Sequence, residues 1–321
     1  MMTSKKYYVL AYYSFTPIAD PAAEVLRHKE FFATRDVRSR IYISRQGING
    51  QMSASLSAAE EYMGWLKSDE RFARVDFKIH VYDEHVFPRC TVKVREQLVA
   101  LDREPDLALT GEHVAPKRWR EMLEEKDEDT ILLDVRNDYE WRLGHFEDAE
   151  LPALETFREF PSYAKRLKEE RDPKKTKVMM YCTGGIRCEL YSALLKEEGF
   201  EQVYQLDGGV IKYGLQEGSK QWVGQLFVFD DRLSVPISEK EEAPSIGKCS
   251  HCGAASETYY NCADMDCNEL FLACPSCAET FQGCCCAECQ TSPRLRPFEK
   301  GKKPKPFGRW YRYQQKSGRA E

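Results

Sequence analysis

The sequence lacks the features that would place it in a membrane or an export pathway. No apolar run approaches the roughly 20 residues that a transmembrane helix requires. The run Tyr7–Tyr13 after Lys5 and Lys6 is too short for a signal-peptide core, and no small-residue cleavage site follows it. Hydrophobic residues make up 42% and charged residues 31% of the 321 residues, which is typical of a globular chain and not of a disordered one. We therefore expect a cytoplasmic protein of two or three domains.

The signatures of two common redox cofactors are also missing. No glycine-rich dinucleotide fingerprint follows a predicted strand. The six histidines are scattered, without an evident set of two histidines and one carboxylate for iron. The sequence therefore leaves the redox cofactor of any oxidation reaction unidentified.

Charge is unevenly distributed along the chain. The net charge is −5, but residues 294–321 contain ten Lys or Arg against two Glu, a local +8 that leaves −13 for the remainder. Aromatic residues are interleaved with these cations; cations bind phosphates, while aromatic rings stack on unpaired bases. The segment therefore favours contact with an RNA loop, although a solvated tail would have a similar composition. The predicted RNA-binding residues are Arg294, Arg296, Lys302, Lys303, Lys305, Arg309, Trp310 and Arg312.

Cysteine is abundant, and ten of the 13 cysteines lie between Cys249 and Cys289. In a reducing compartment such density favours metal binding over disulfide bonds. A close-spaced pair presents two thiolates to one tetrahedral zinc ion, so four pairs predict two structural zinc ions. We expect the first and third pairs to bind one ion, and the second and fourth pairs to bind the other. Cys284 and Cys285 are then surplus or alternative ligands. The four pairs are Cys249 with Cys252, Cys262 with Cys267, Cys274 with Cys277, and Cys286 with Cys289.

Residues 1–95 follow the order β-α-β-β-α-β. Tyr7–Phe15 is a predicted strand, Asp20-Pro21 opens a helix, and Val75–Tyr82 closes the unit. We interpret Gly47-Ile48-Asn49-Gly50 as a turn between two strands, and Ser57 as the start of a capping box. This order predicts a ferredoxin-like α+β domain.

Helices and strands alternate from residue 118 to residue 230, after a predicted linker at residues 96–117. Buried strands are expected at Ile131–Val135, Lys177–Tyr181 and Val203–Leu206, with helices between them. Such alternation predicts an α/β domain with a parallel sheet. The remaining segments are a linker at residues 231–248, a cysteine-rich module at residues 249–292 and the basic tail at residues 293–321.

The strongest single motif is Cys182-Thr183-Gly184-Gly185-Ile186-Arg187-Cys188, between a buried strand and a helix. Ligands gather beyond the carboxyl ends of parallel strands. The two glycines allow backbone N–H groups to point inward and, with the helix N-terminus, to stabilise an anion. The same field lowers the pKa of the Cys182 thiol, and Arg187 adds a fixed positive charge. We predict an accessible, nucleophilic Cys182 thiolate; the alternative is a buried structural cysteine beside a turn.

This loop resembles the active-site loop of the rhodanese superfamily. The resemblance continues in Asp134-Val135-Arg136, Gly144-His145-Phe146-Glu147-Asp148-Ala149 and Leu206-Asp207-Gly208-Gly209-Val210. It implies a persulfide on Cys182 in a sulfurtransferase, with Asp134 and Arg136 in the strand-end motif of the family. The loop has six residues from Cys182 to Arg187, and in this length it is similar to the loops of the sulfur-handling members. Related phosphatase loops are one residue longer.

With the Gly47–Gly50 segment and the closing cysteine block, the chain resembles the bacterial tRNA uridine(34) hydroxylase family over nearly its whole length. The resemblance implies an acylphosphatase-like N-terminal domain, a rhodanese core and oxygen-dependent 5-hydroxylation of the wobble uridine in the tRNA anticodon. In that reaction Cys182 could attack C6 of the uracil ring or carry an oxidised or sulfur-bearing intermediate. Two other functions stay open: a sulfurtransferase that carries a Cys182 persulfide, and a non-catalytic RNA- or protein-binding adaptor.

Overall fold

The computed structural model describes residues 6–101, 103–154 and 156–300. Within these ranges, no helix has both the length and the apolar character needed to span a bilayer. The backbone divides into two compact units. The first consists of Met1–Val135 and Thr156–Tyr213, and the second of Arg136–Glu155 and Gly214–Glu321.

The first unit opens with a five-stranded sheet and two helices. Its elements are β1 (Tyr7–Phe15), α1 (Pro21–Phe32), β2 (Val37–Ser44), β3 (Gly47–Ser55), α2 (Leu56–Lys67), β4 (Lys78–Tyr82) and β5 (Cys90–Val94). The strand order is β4-β1-β3-β2-β5, and all pairs are antiparallel except β2 with β5. The first four strands confirm the predicted ferredoxin-like domain, to which β5 adds an edge strand.

Local sequence explains most of this sheet and its helices. Leu10, Ile41 and Tyr62 lie in one buried core, contributed by β1, β2 and α2. The Asp20 carboxylate accepts hydrogen bonds from two backbone N–H groups of the first turn of α1, as expected of an N-cap. The capping box predicted at Ser57 is wrong, because α2 has already begun one residue earlier.

The interpretation of Gly47–Gly50 as a turn is also wrong. The hairpin turns at Arg45-Gln46, and both glycines lie within β3. A Cβ at Gly50 would lie 2.1 Å from an atom of the Tyr12 ring. The glycine is therefore needed because β1 side chains pack directly on the β3 backbone, and not because the chain reverses there.

The chain continues with a second, parallel sheet in the first unit. In chain order the elements are β6 (Glu112–Val114), α3 (Pro116–Glu124), β7 (Thr130–Asp134), α4 (Asp138–Trp141), β8 (Gly144–Phe146), α5 (Phe160–Glu170), β9 (Lys177–Tyr181), α6 (Ile186–Glu197), β10 (Gln202–Leu206) and α7 (Gly209–Glu217), of which α4 and β8 belong to the second unit. The sheet order is β6-β10-β9-β7, with all pairs parallel. This confirms the predicted parallel-sheet core, and β6 is an edge strand inside the segment predicted as a linker.

The parallel sheet is apolar because helices cover it. The last four residues of β9 are buried, which explains the nearly continuous hydrophobic sequence of that strand. On α6, the Tyr191 ring stacks on the Phe160 ring of α5 with centroids 3.8 Å apart. Strand β9 and helix α6 are thus firmly packed, and the loop between them carries Cys182.

The second unit is built from short paired strands. Its further elements are β11 (Trp222–Gly224), β12 (Leu226–Phe227), β13 (Ser234–Val235), β14 (Tyr259–Asn261), β15 (Leu270–Leu272) and α8 (Pro275–Thr280). Antiparallel pairs join β8 with β11, β12 with β13, and β14 with β15. The Trp222 ring packs edge-on against Phe146 at 5.2 Å, and the Tyr259 hydroxyl donates to the Tyr139 carbonyl oxygen at 2.5 Å. These contacts hold residues 136–155 to the C-terminal part of the chain.

Candidate active site and metal clusters

The loop after β9 wraps around the Cys182 sulfur. The Gly185 N–H donates to Cys182 Sγ at 3.2 Å, and Gly185 has φ +102°, a conformation that favours glycine. Helix α6 begins at the next residue, so its N-terminus lies at the loop. From the start of α7, the N–H groups of Val210 and Ile211 donate to the carbonyl oxygens of Cys182 and Thr183 at 3.0 and 3.1 Å. The loop is therefore fixed from two sides.

The surroundings of Cys182 favour its thiolate. Burial opposes ionisation of the Cys182 thiol. Three effects outweigh burial: a hydrogen bond from the Cys188 side chain, the charge of Arg187, and the backbone N–H groups of both residues. Together these effects lower the pKa of Cys182 from 9.0 to about 6. Arg187 is itself held by a hydrogen bond from Nη2 to Thr183 Oγ1 at 3.1 Å. Burial and the adjacent Cys182 raise the pKa of Cys188 well above its usual range. The loop therefore pairs one thiolate with one neutral thiol at neutral pH.

Cys182 is enclosed, in contrast to the predicted accessible nucleophile. Its side chain is 0% exposed, and Arg187 and Thr183 are each 4% exposed. Space is open beside Gly184, where no described atom beyond the chain neighbours lies within 4 Å of the position that a Cβ would take. A substrate that reaches the sulfur must therefore displace part of the cover.

One side chain of the N-terminal sheet, Tyr13, lies against this loop, and a second, Lys78, lies beside the Tyr13 ring. The Tyr13 hydroxyl is 2.8 Å from the position of a Cβ at Gly185, and it donates to Glu189 Oε1 at 2.8 Å. His113 Nε2 lies 2.9 Å from the same carboxylate oxygen. Lys78 Nζ lies 5.0 Å from the centre of the Tyr13 ring, and its side chain is 5% exposed. Residues of β1 and β4 thus complete the surroundings of the Cys182 loop.

Three residues near the loop were not predicted from the sequence: Tyr13, Lys78 and Glu189. Glu189 follows Arg187 and Cys188 on the first turns of α6, so a helical projection of the motif could have placed it near the loop. No local signal marks Tyr13 or Lys78, because only the folding of β1 and β4 beside the loop brings them there.

Asp134 and Arg136, the residues of the strand-end motif, are both fully buried. Asp134 is the last residue of β7. Arg136 Nη2 donates to the Gly144 carbonyl oxygen at 2.6 Å, and its guanidinium lies 5.1 Å from the centre of the Trp222 ring. Arg136 therefore fastens the segment around β8 within the second unit.

The cysteine block brings eight sulfur atoms into two groups of four. Within each group all Sγ atoms lie within 4.8 Å of one another. Measured separations are 3.7 Å between Cys252 and Cys274 and 3.7 Å between Cys267 and Cys285. A tetrahedral ion with metal–sulfur distances of about 2.3 Å places its sulfur ligands about 3.8 Å apart, whereas a disulfide bond needs about 2 Å. The groups, Cys249, Cys252, Cys274 and Cys277, and Cys262, Cys267, Cys285 and Cys289, therefore fit metal ions.

The grouping differs from the predicted pairs at one ligand. The first and third pairs meet in one cluster, but Cys285 stands where Cys286 was expected in the other. The Cys285 N–H donates to Cys262 Sγ at 3.4 Å, which anchors Cys285 at the cluster. Cys286 Sγ lies 3.5 Å from Cys289 Sγ but outside the group of four. Neighbouring residues point in different directions, so cysteine spacing alone did not distinguish the two.

Two of the predicted RNA-binding residues make contacts inside the cysteine module. Arg294 forms an ion pair with Asp266. Arg296 Nη2 donates to the Cys262 carbonyl oxygen and, at 2.6 Å, to Asn268 Oδ1. The other predicted RNA-binding residues lie outside the described part of the chain: Lys302, Lys303, Lys305, Arg309, Trp310 and Arg312.

Three protein-family models match consecutive parts of the chain. The UPF0176 acylphosphatase like domain matches residues 7–98, the Rhodanese-like domain residues 115–215, and the Rhodanase C-terminal family residues 223–290. The matches confirm the expected acylphosphatase-like and rhodanese folds, in the order of the two sheets and the cysteine clusters.

Curated relatives match nearly the full chain. A tRNA uridine(34) hydroxylase of Protochlamydia amoebophila (strain UWE25) is 57% identical over 313 residues, which cover 98% of this chain and 97% of the relative. A tRNA uridine(34) hydroxylase of Chlamydia felis (strain Fe/C-56) is 56% identical over 308 residues, which cover 96% of this chain and 94% of the relative. With its rhodanese-type cysteine loop and its three matching regions in order, the chain belongs to the tRNA uridine(34) hydroxylase family.

Proposed function

We propose that this chain hydroxylates uridine 34 of tRNA at C5 of the uracil ring, with Cys182 as the nucleophile. Family membership supports the substrate and the reaction. The observation that supports the role of Cys182 is its pKa of about 6, which makes the thiolate the main form at neutral pH. A thiolate held by N–H groups beside a fixed guanidinium is suited to adding to an electrophilic carbon.

Addition of the Cys182 sulfur to C6 would activate the adjacent carbon. The S–C6 bond forms, the C5–C6 π bond opens, and its electron pair spreads over C5 and the 4-oxo oxygen. C5 then reacts with an oxygen donor, and the thiolate leaves when the C5 proton is lost. With molecular oxygen as co-substrate, the net balance is uridine, O2, two electrons and two protons giving 5-hydroxyuridine and water, so a two-electron reductant completes the reaction.

The residues around Cys182 receive distinct roles in this proposal. Arg187 and the loop N–H groups, from Thr183 to Cys188, stabilise the anionic sulfur between turnovers. Asp134 and Arg136 are proposed positioning residues, because Arg136 donates to the Gly144 carbonyl oxygen and lies over the Trp222 ring, contacts that hold the segment around β8.

The two cysteine clusters are proposed structural zinc sites. Four thiolates in tetrahedral spacing are the ligand set that zinc prefers, and a set of four protein ligands leaves no position open for substrate. The short module offers only a small apolar core, so bound metal would supply much of its folding energy. We assign zinc no part in the chemical steps.

We propose the tRNA anticodon loop as the binding partner and the cytoplasm as the location of the reaction. The basic and aromatic residues beyond residue 300 are the proposed phosphate and base contacts. Arg294 and Arg296 stabilise the cysteine module, so the RNA-binding test should remove residues 301–321 alone. Weaker tRNA binding with a reduced salt dependence is expected, and unchanged binding would contradict the proposed role of the tail.

The function is tested by nucleoside mass spectrometry of tRNA from a deletion strain, complemented with the full chain or its variants. The wild type should restore 5-hydroxyuridine at position 34, and Cys182→Ser should lower its formation by about 1,000-fold or more. Cys90→Ser, at an exposed cysteine outside the loop and the clusters, is the matched control and should behave as wild type.

Each rival function has its own outcome in this experiment. Rapid sulfur transfer from thiosulfate to cyanide without 5-hydroxyuridine would establish a sulfurtransferase. Full restoration of the nucleoside by Cys182→Ala would establish a non-catalytic adaptor and overturn the role of Cys182.

A further inference from the structure

Lys78 is a buried cation with weak partners. Its side chain is 5% exposed, and its contacts to oxygen are long: Nζ lies 3.5 Å from the Asp76 carbonyl oxygen and 3.9 Å from an Asp76 carboxylate oxygen. Burial lowers the pKa of Lys78, as expected for an ammonium group that has lost water without gaining a close counter-ion. An ammonium has three N–H donors, so an acceptor brought to Lys78 would recover hydrogen bonds that burial has removed.

Contacts on both sides hold Lys78 at the Cys182 loop. On one side, the ring of Tyr13 lies 5.0 Å below Nζ, and its hydroxyl is tied to Glu189 on α6. On the other side, Asp76 accepts a hydrogen bond from Lys212 Nζ at 3.1 Å, where α7 begins. Helix α6 begins directly after the loop that carries Cys182, and the first turn of α7 donates two hydrogen bonds to that loop. Two links, one through Tyr13 and one through Asp76, therefore connect Lys78 to the helices that flank the Cys182 loop.

The neighbouring cations are already engaged. Arg187 donates to Thr183 Oγ1 at 3.1 Å and stabilises the sulfur. Lys212 pairs with Asp207 at 2.7 Å as well as with Asp76. Of these three cations around the loop, Lys78 has the longest contacts to oxygen, and so it has the most to gain from a substrate oxygen.

We propose that Lys78 is a catalytic residue that contacts the 4-oxo oxygen of the target uracil and stabilises the negative charge formed there when Cys182 adds to C6. The inference rests on the proposed function and deepens it. In the step concerned, the sulfur lone pair forms the S–C6 bond, and the C5–C6 π pair moves onto C5 and the 4-oxo oxygen. No electron leaves the two reactants, so the step needs no oxidant, and the ammonium keeps its proton as a hydrogen-bond donor.

The uracil carbonyl is the acceptor that fits this position. It is neutral before the addition, so it can enter an enclosed site without the desolvation that a phosphate would require. Its charge appears only as the S–C6 bond forms, and a preorganised donor is most effective for charge that develops in the transition state. The N-terminal sheet would thereby contribute a reacting-site residue to the rhodanese loop.

The test compares single-turnover kinetics of the full-length wild type, Lys78→Met and Lys67→Met. Lys78→Met should lower the rate constant by about 100-fold and leave the KM for tRNA within about threefold. Lys67, an exposed lysine with Nζ 5.6 Å from the Phe77 ring, is the matched control on the same domain and should keep the wild-type rate. Lys78→Arg should recover part of the lost rate.

A second arm uses tRNA with 4-thiouridine at position 34, because sulfur is a weaker acceptor than oxygen. The replacement should slow the wild type by a factor about ten times larger than the factor by which it slows Lys78→Met. A purely structural role of Lys78 would not produce this non-additivity. 2-Thiouridine is the control and should affect both enzymes equally. If Lys78→Met fails to fold, Lys78→Gln, which keeps an uncharged donor, takes its place in the same comparison.

The outcomes separate the two proposals. A wild type that forms no 5-hydroxyuridine would remove the proposed function itself. A wild type that forms it at the same rate as Lys78→Met, or a 4-thio effect of equal size in both enzymes, would overturn the role of Lys78 alone.

Discussion

The Cys182 loop and the cysteine block both concentrate cysteine, but they hold sulfur in opposite ways. In the loop, a backbone N–H at 3.2 Å, a neighbouring thiol and Arg187 surround one sulfur. In the block, each of eight sulfurs faces three others within 4.8 Å. Thiolates this close repel one another strongly unless a cation lies between them.

The difference decides what each cysteine can do. A sulfur whose charge is balanced by the protein keeps its lone pairs for a substrate. A sulfur whose charge is balanced by a metal ion gives its lone pair to that ion and becomes a fixed part of the fold. Three experiments test whether the two sets of cysteines differ in this way.

The largest effect should follow from removing a cluster ligand. Protein purified without chelators should carry about two zinc ions per chain, and Cys274→Ser should lose about one of them and unfold part of the module. Elemental analysis and protease sensitivity measure the change, with Cys90→Ser as control. Retention of both ions by Cys274→Ser would show that the grouping of four sulfurs does not bind metal as proposed.

The pH dependence of hydroxylation should depend on Cys188. In the proposed mechanism the thiolate is the active form, so the rate should rise as the pH rises through about 6, the pKa of Cys182. Cys188→Ala removes the side-chain donor and should move this rise to higher pH. Cys188→Ser keeps a hydroxyl donor and is the matched control, with a profile near that of the wild type. Equal profiles for the Ala and Ser variants would exclude a hydrogen bond from residue 188.

The smallest effect should come from loosening the cover over Cys182. Tyr13→Phe removes the hydrogen bond to Glu189, worth about 1 kcal/mol, and should accelerate alkylation of Cys182 about fivefold by favouring local opening. Peptide mass spectrometry after iodoacetamide pulses measures the rate. Tyr8→Phe, on the same strand, controls for loss of a hydroxyl. An unchanged rate in Tyr13→Phe would mean that the substrate path opens elsewhere.

The predictable parts of this protein are those with a local cause. The apolar run of β9 and the glycines and arginine of the next loop are contiguous in sequence, so the strand, the loop and the lowered pKa of Cys182 could be predicted together. The cap at Asp20 and the pairing of Cys249–Cys252 with Cys274–Cys277 also followed from spacing.

The parts that could not be predicted have long-range causes. Gly50 is required by the Tyr12 ring of a neighbouring strand, and a dipeptide signal for a turn carries no information about that contact. Lys78 lies beside Tyr13 because β4 pairs with β1, and the Tyr13 hydroxyl donates to Glu189 on α6. Cys285 replaces Cys286 through a single backbone hydrogen bond to Cys262.

The pairing of β8 with β11 has a consequence for dissecting this protein. Residues 136–155 leave the first unit between two strands of its parallel sheet and find their partners after residue 213. A stop codon after Tyr213 would therefore leave β8 without its partner β11, and it would disrupt an internal segment of the chain and not only its end. Separate expression of the rhodanese part needs a boundary beyond Gly224, because each unit consists of two segments that alternate along the chain.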